Sequence, residues 1–110
     1  MIADSQIQKL IGEIIDRIVR DYQPEKIVLF GSFAYGRPHR DSDVDLLIIK
    51  DTAERPIDRR VTVRRLLAPA TGKIPVELLV LTPRELGERQ AIGDQFIGEI
   101  LRCGKVLYAA

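Results

Sequence analysis

The sequence predicts an α/β (α+β) protein, one small sheet with helices packed on it. Two observations carry the prediction. Short β-branched apolar runs, KIVLF at 26–30, DVDLLIIK at 43–50 and VELLVL at 76–81, read as strands. The segments around them repeat apolar residues at three- and four-residue spacing, or open on helix-start signals. The length of 110 residues fits one domain, 1–110.

The first helix runs from Ser5 to about Asp21. Ile7, Leu10, Ile11, Ile14, Ile15, Ile18 and Val19 make one apolar stripe on it. Ser5 with Gln8 three residues later has the pattern of a capping box, and Pro24 stops the helix. Lys26–Phe30 is a buried strand that turns out at Gly31-Ser32. A polar loop or short helix, with His39 exposed in it, leads through the turn-like Asp41-Ser42-Asp43 to the second strand. Pro56 opens a second helix, with Ile57, Val61, Leu66 and Leu67 as its apolar face. Arg59, Arg60, Arg64 and Arg65 fill the rest as a solvated face. Gly72 and Pro75 punctuate the chain before the third strand. Thr82-Pro-Arg-Glu85 is a capping box with proline at the first helical position, and Gly93 breaks that helix. Asp94 caps a last helix to Arg102, which Gly104 terminates, and Lys105–Tyr108 adds a final short strand. Cys103 reads as a small buried hydrophobe. Strand order and direction do not follow from this pattern.

Composition excludes several classes. Hydrophobic residues make up 45% and charged residues 30%, which sets the chain apart from disordered or fibrous sequences. A net charge of +1 gives no overall pull toward nucleic acid or membrane, and no direct nucleic-acid binding is expected. The single cysteine, Cys103, rules out an internal disulfide and argues against a cysteine-based zinc site. The start, MIADSQIQKL, is not a secretory signal, and no apolar run approaches the ~18 residues of a membrane span. A cytoplasmic location is expected.

The chemistry gathers around carboxylates. Asp43 and Asp45 alternate along a strand, so they point to one face, roughly 6–7 Å apart at their Cα atoms. Two like charges so close repel each other, and a cation between them relieves the repulsion. Hard oxygen ligands around an open position suit magnesium. Glu77 interrupts an apolar strand, where a carboxylate needs a partner. If its strand neighbours the second one, Glu77 faces the same cleft, and three carboxylates could then hold two magnesium ions. Gly31-Ser32 supplies the other half. Glycine lets a backbone approach a phosphate, and amides after a strand make an anion site to which the Ser32 hydroxyl adds one hydrogen bond.

The run GSFAYGRPHRDSDVDLLII, Gly-Ser and then Asp-x-Asp ten residues on, resembles the signature of the DNA polymerase β-type nucleotidyltransferase superfamily. It looks most like the minimal branch, which includes the antitoxin partners of HEPN-domain toxins. The resemblance covers nearly the whole chain, from a leading helix through LFGS, SDVDLLI and Glu77 to GKVLY. It implies the polymerase β-like fold, with a mixed sheet. It implies Asp43 and Asp45 as metal ligands and Gly31 and Ser32 as the triphosphate site. Glu77 would be the third carboxylate, either a ligand or the base toward the acceptor hydroxyl. ATP would be the substrate, Mg2+ the cofactor, and a tyrosine of a HEPN-type ribonuclease toxin the acceptor, so that modification silences the toxin. The chain has no room for the further domains that bind tRNA ends or antibiotics in larger relatives. Two positions depart from the family. Members often carry aspartate at the position of Glu77, and many carry arginine at the position of Tyr35, for which Arg37 is the nearest substitute. These departures motivate a second reading, an antitoxin that neutralises its partner by contact alone. A third reading is a small-molecule nucleotidyltransferase whose second half is a separate chain.

Overall fold

A computed structural model describes residues 4–38, 42–69 and 74–110. His39, the Asp41 end of its turn and Gly72 lie outside the described residues. In chain order the elements are α1 (Asp4–Tyr22), β1 (Lys26–Phe30), β2 (Val44–Ile49), α2 (Pro56–Leu67), β3 (Val76–Leu81), α3 (Pro83–Ala91), α4 (Gln95–Cys103) and β4 (Lys105–Ala109). The strands form one four-stranded sheet in the order β3-β2-β1-β4. β1 is antiparallel to both β2 and β4, while β2 and β3 are parallel, joined by α2. The sheet is therefore mixed, as expected.

Both faces of the sheet are covered, so its central strands read as continuous apolar runs. Ile27 and Leu29 of β1, Val44, Leu46 and Ile48 of β2, and Val76, Leu78 and Val80 of β3 point to α1 and α2. There Ile7, Ile11, Ile14 and Ile18 of α1 meet Val63 and Leu67 of α2. The alternate residues Val28, Leu47, Ile49 and Leu81 meet Ile97 and Ile100 of α4, with Leu86 of α3 packed alongside.

Local chemistry fixes most element ends. α1 ends where Gln23 takes a left-handed φ of 52° ahead of Pro24. At its start the helix already includes Asp4, so Ser5 sits inside the first turn and not at the cap. The solvated amides of a helix end do not pin the start to one serine. The capping box at α3 is present as read: the Thr82 hydroxyl accepts from the Glu85 amide at 3.1 Å, and the Glu85 carboxylate accepts from the Thr82 amide at 2.8 Å. Asp94 caps α4 through the Ile97 amide at 3.0 Å.

Two expectations about helix faces are corrected. On α2 the inward positions are Arg59, Val63 and Leu67, while Ile57 and Val61 are exposed. Arg59 is buried because its guanidinium reaches past the helix to the outer side of β3. It donates to the Val80 carbonyl at 3.2 Å, to the Glu54 carbonyl at 2.8 Å and to the Glu85 carboxylate at 2.6 Å. Cys103 is exposed. Ile97 and Ile100 occupy the sheet-facing positions of α4, and Cys103 ends the helix at solvent. Among the described residues no helix is long and apolar enough to cross a membrane.

Candidate active site

The site lies at the end of the sheet where β1 finishes and β2 and β3 begin. Phe30, the last residue of β1, stands opposite Asp45 of β2, and Asp45 stands opposite Glu77 of β3. Neighbouring residues Leu29, Val44, Leu46, Val76 and Leu78 all face the α1–α2 core. By strand alternation Phe30, Asp45 and Glu77 share the opposite face. Asp43 immediately precedes β2 and is half-buried.

After Phe30 the chain reverses at Gly31, with φ 75°. A short helical turn follows, closed by the Ala34 and Tyr35 amides donating to the Gly31 carbonyl at 3.0 and 3.1 Å and by the Arg37 amide donating to the Ser32 carbonyl at 2.9 Å. These bonds begin at Ala34, so the amides of Ser32 and Phe33 are not consumed by the turn and suit an anion. The Ser32 hydroxyl donates to the hydroxyl of the buried Ser42 at 2.9 Å. That bond ties the Gly31 turn to the residue before Asp43. Ser42 is a positioning residue that the sequence reading passed over as a turn residue, although its place beside Asp43 was the available signal.

Gly31 has a second reason to be glycine. A Cβ at this position would overlap the Asp45 carboxylate. The turn is thus built against the side chain it serves. Gly31→Ala is expected to lower stability by about 1–2 kcal/mol from the left-handed backbone alone and to push Asp45 aside. A thermal melt and an ATP-binding titration with magnesium check the two effects separately.

Burial is the main cause that raises the Asp45 pKa above its ordinary value, followed by the charges of Asp43 and then Glu77. A raised carboxyl pKa means that the folded state holds its proton more tightly than the unfolded state, so ionised Asp45 costs stability. That cost is absent below the ordinary aspartate value and grows as pH rises through the folded pKa. Metal-free Asp45→Asn is therefore expected to melt above the wild type at pH 7. The gap should close in acid, which a pH series of melts checks.

Glu77 is held differently. Its carboxylate is exposed and lies 3.8 Å from the Arg64 guanidinium, which also donates to the Val76 carbonyl at 3.1 Å. Among the described residues no three histidine, cysteine, aspartate or glutamate side chains stand grouped as a metal cluster. The donor set nevertheless fits magnesium. That ion takes one or two carboxylates and completes its shell with water and phosphate oxygens. Asp43 and Asp45 supply such a pair, and their repulsion at Asp45 is the electrostatic strain a cation removes. Glu77 could join them only by leaving Arg64.

The sequence matches the nucleotidyltransferase domain family over residues 11–102. A provisionally named protein adenylyltransferase of Methanocaldococcus jannaschii is 28% identical over 110 aligned positions, covering 92% of this chain and 74% of that protein. A provisionally named nucleotidyltransferase from Sulfolobus solfataricus superposes with a TM-score of 0.62 at 22% identity, covering 92% of this chain and 78% of its own. A toxin–antitoxin crystal structure with AMP-PNP superposes with a TM-score of 0.61 at 24% identity, covering 89% of this chain and 73% of the matched one. The toxin–antitoxin complex MntA–HpeT gives 0.60 at 20% identity, covering 90% and 72%. At these identities the solved structures establish the shared polymerase β-like fold. The family match runs from within α1 almost to the end of α4, so the turn and strands that carry the carboxylates fall inside it. The chain belongs to the nucleotidyltransferase domain family and is a nucleotidyltransferase.

Proposed function

We propose that the chain transfers AMP from ATP to a hydroxyl group of a partner protein, a tyrosine of a HEPN-type ribonuclease toxin, and so acts as its antitoxin. The observation that carries the reading is the placement of Asp45 between Asp43 and Glu77, against the Gly31 turn. A phosphate cradle and a strained set of carboxylates meet there at one end of the sheet. The M. jannaschii relative named for protein adenylylation and the AMP-PNP in a related toxin–antitoxin structure support the substrate and partner classes.

The Ser32 and Phe33 amides bind the triphosphate, and the Ser32 hydroxyl, which donates to Ser42 at 2.9 Å in this structure, would turn to donate to a phosphate oxygen. Asp43 and Asp45 would hold Mg2+, up to two ions if Glu77 joins them. Bound there, the metal supplies positive charge to the phosphate oxygens and favours the deprotonated acceptor hydroxyl. The acceptor oxygen bonds to the α-phosphorus, the bond from that phosphorus to the bridging oxygen breaks, and pyrophosphate leaves. Glu77, once freed from Arg64, would take the acceptor's proton.

The Glu77–Arg64 pair favours a second reading, neutralisation by contact alone, since it turns the third carboxylate toward the sheet edge. Incubation with α-labelled ATP, magnesium and a HEPN-type candidate partner separates the two. Label on the partner's tyrosine supports transfer. A bound, folded partner without label leaves contact alone.

A further inference from the structure

On the face of the sheet that carries the carboxylates, Phe30 is the cross-strand neighbour of Asp45. Phe96, in the first turn of α4, packs on it with ring centroids 5.7 Å apart and planes at 82°. In an edge-to-face pair each ring keeps at least one face free of the other. Phe96 is 51% exposed although it is large and apolar. Phe30 is also one residue from Gly31 and the amides assigned to the triphosphate. A nucleotide carries charged phosphates at one end and a flat aromatic ring at the other, and this end of the sheet offers a receptor for each, side by side.

We propose that Phe96, backed by Phe30, is the platform on which the base of the bound nucleoside triphosphate stacks. The inference rests on the nucleotidyltransferase site described above and assigns its base-binding side. Stacking on an aromatic ring needs no hydrogen-bond pattern, so it is tolerant of base identity and favours the larger purines. ATP and GTP are then expected to bind with similar strength, and UTP more weakly.

The test is calorimetric titration of the full chain with ATP and with inorganic tripolyphosphate, which has no base, both with magnesium. Phe96→Ala is expected to weaken ATP about tenfold and to leave tripolyphosphate unchanged. Phe96→Leu keeps apolar bulk for the fold but lacks a ring, and it should show the same selective loss with an unchanged melting temperature. Phe96→Trp should retain ATP. Equal ATP affinity in wild type and Phe96→Leu overturns the proposal, also where Phe96→Leu weakens only binding of the partner protein. Wild-type binding of tripolyphosphate as tight as ATP overturns it too, while leaving the phosphate and metal site standing. A wild type that binds neither ligand removes the site reading and this inference together.

Discussion

Replacing Asp43 and Asp45 together with asparagine is expected to lower AMP transfer by about a thousandfold or more. Metal stabilisation of phosphoryl transfer is worth several kcal/mol, and each 1.36 kcal/mol is about tenfold in rate. The double variant should keep its fold, because the carboxylates repel each other without a cation and the amides are nearly isosteric. Single-turnover rates with labelled ATP, set beside a thermal melt and a partner pull-down, check this. A correctly folded, partner-binding double variant that still transfers label at the wild-type rate would sink the assignment of these residues. Protection of cells by the inactive variant would show that contact suffices for neutralisation.

The largest stability effect is expected at Arg59. Its side chain is 6% exposed, and it joins three parts of the molecule: the Glu54 carbonyl before α2, the Val80 carbonyl on β3 and the Glu85 carboxylate in the first turn of α3. Arg59→Ala leaves two carbonyls and a carboxylate short of a partner. A loss of about 3 kcal/mol, or roughly 12 °C in melting temperature, is expected by analogy with broken buried pairs. Glu85 is a third exposed, so the loss falls at the lower end of that range. Acid gives an independent readout. The hydrogen bond from Arg59 is the main cause that holds the Glu85 pKa below its ordinary value, followed by the Thr82 amide. A depressed carboxyl pKa stabilises the fold above the unfolded value, and the benefit is lost as pH falls through the folded pKa. The difference between wild type and Arg59→Ala should therefore narrow below the ordinary glutamate range. A gap that stays constant down to strong acid would show that packing alone sets the effect.

The elements and the chemical core of the site were legible because each carries its own local signal. Proline, glycine and capping residues bound the helices, and the strands are compact β-branched runs. Gly31-Ser32 and Asp43-x-Asp45 lie close in sequence, and Asp43, one residue ahead of β2, stands near enough for its charge to act on Asp45. What depends on strand order was not legible. Glu77 meets Asp45 only because β3 lies parallel to β2, a pairing that the run VELLVL does not specify. Its engagement with Arg64 depends in turn on β3 being at the edge, beneath α2. Arg59 was misjudged for the same reason. On a helix with arginines at 59, 60, 64 and 65, charge alone gives no sign of which one turns inward. Phe96 likewise has no local mark, and its contact with Phe30 arises from α4 packing against β1.

The outer rim of β3 has a bearing on how the chain behaves when crowded. Alternate residues of this strand turn their backbone groups away from β2, and an exposed rim of that kind is a template for strand-by-strand aggregation. Two of the outward carbonyls, on Val76 and Val80, already accept from Arg64 and Arg59. A foreign strand would have to strip guanidinium groups from both before it could lay down a ladder, and it would meet their charge as it approached. The same arginines that brace the fold and engage Glu77 thus raise the cost of strand-by-strand growth at this rim.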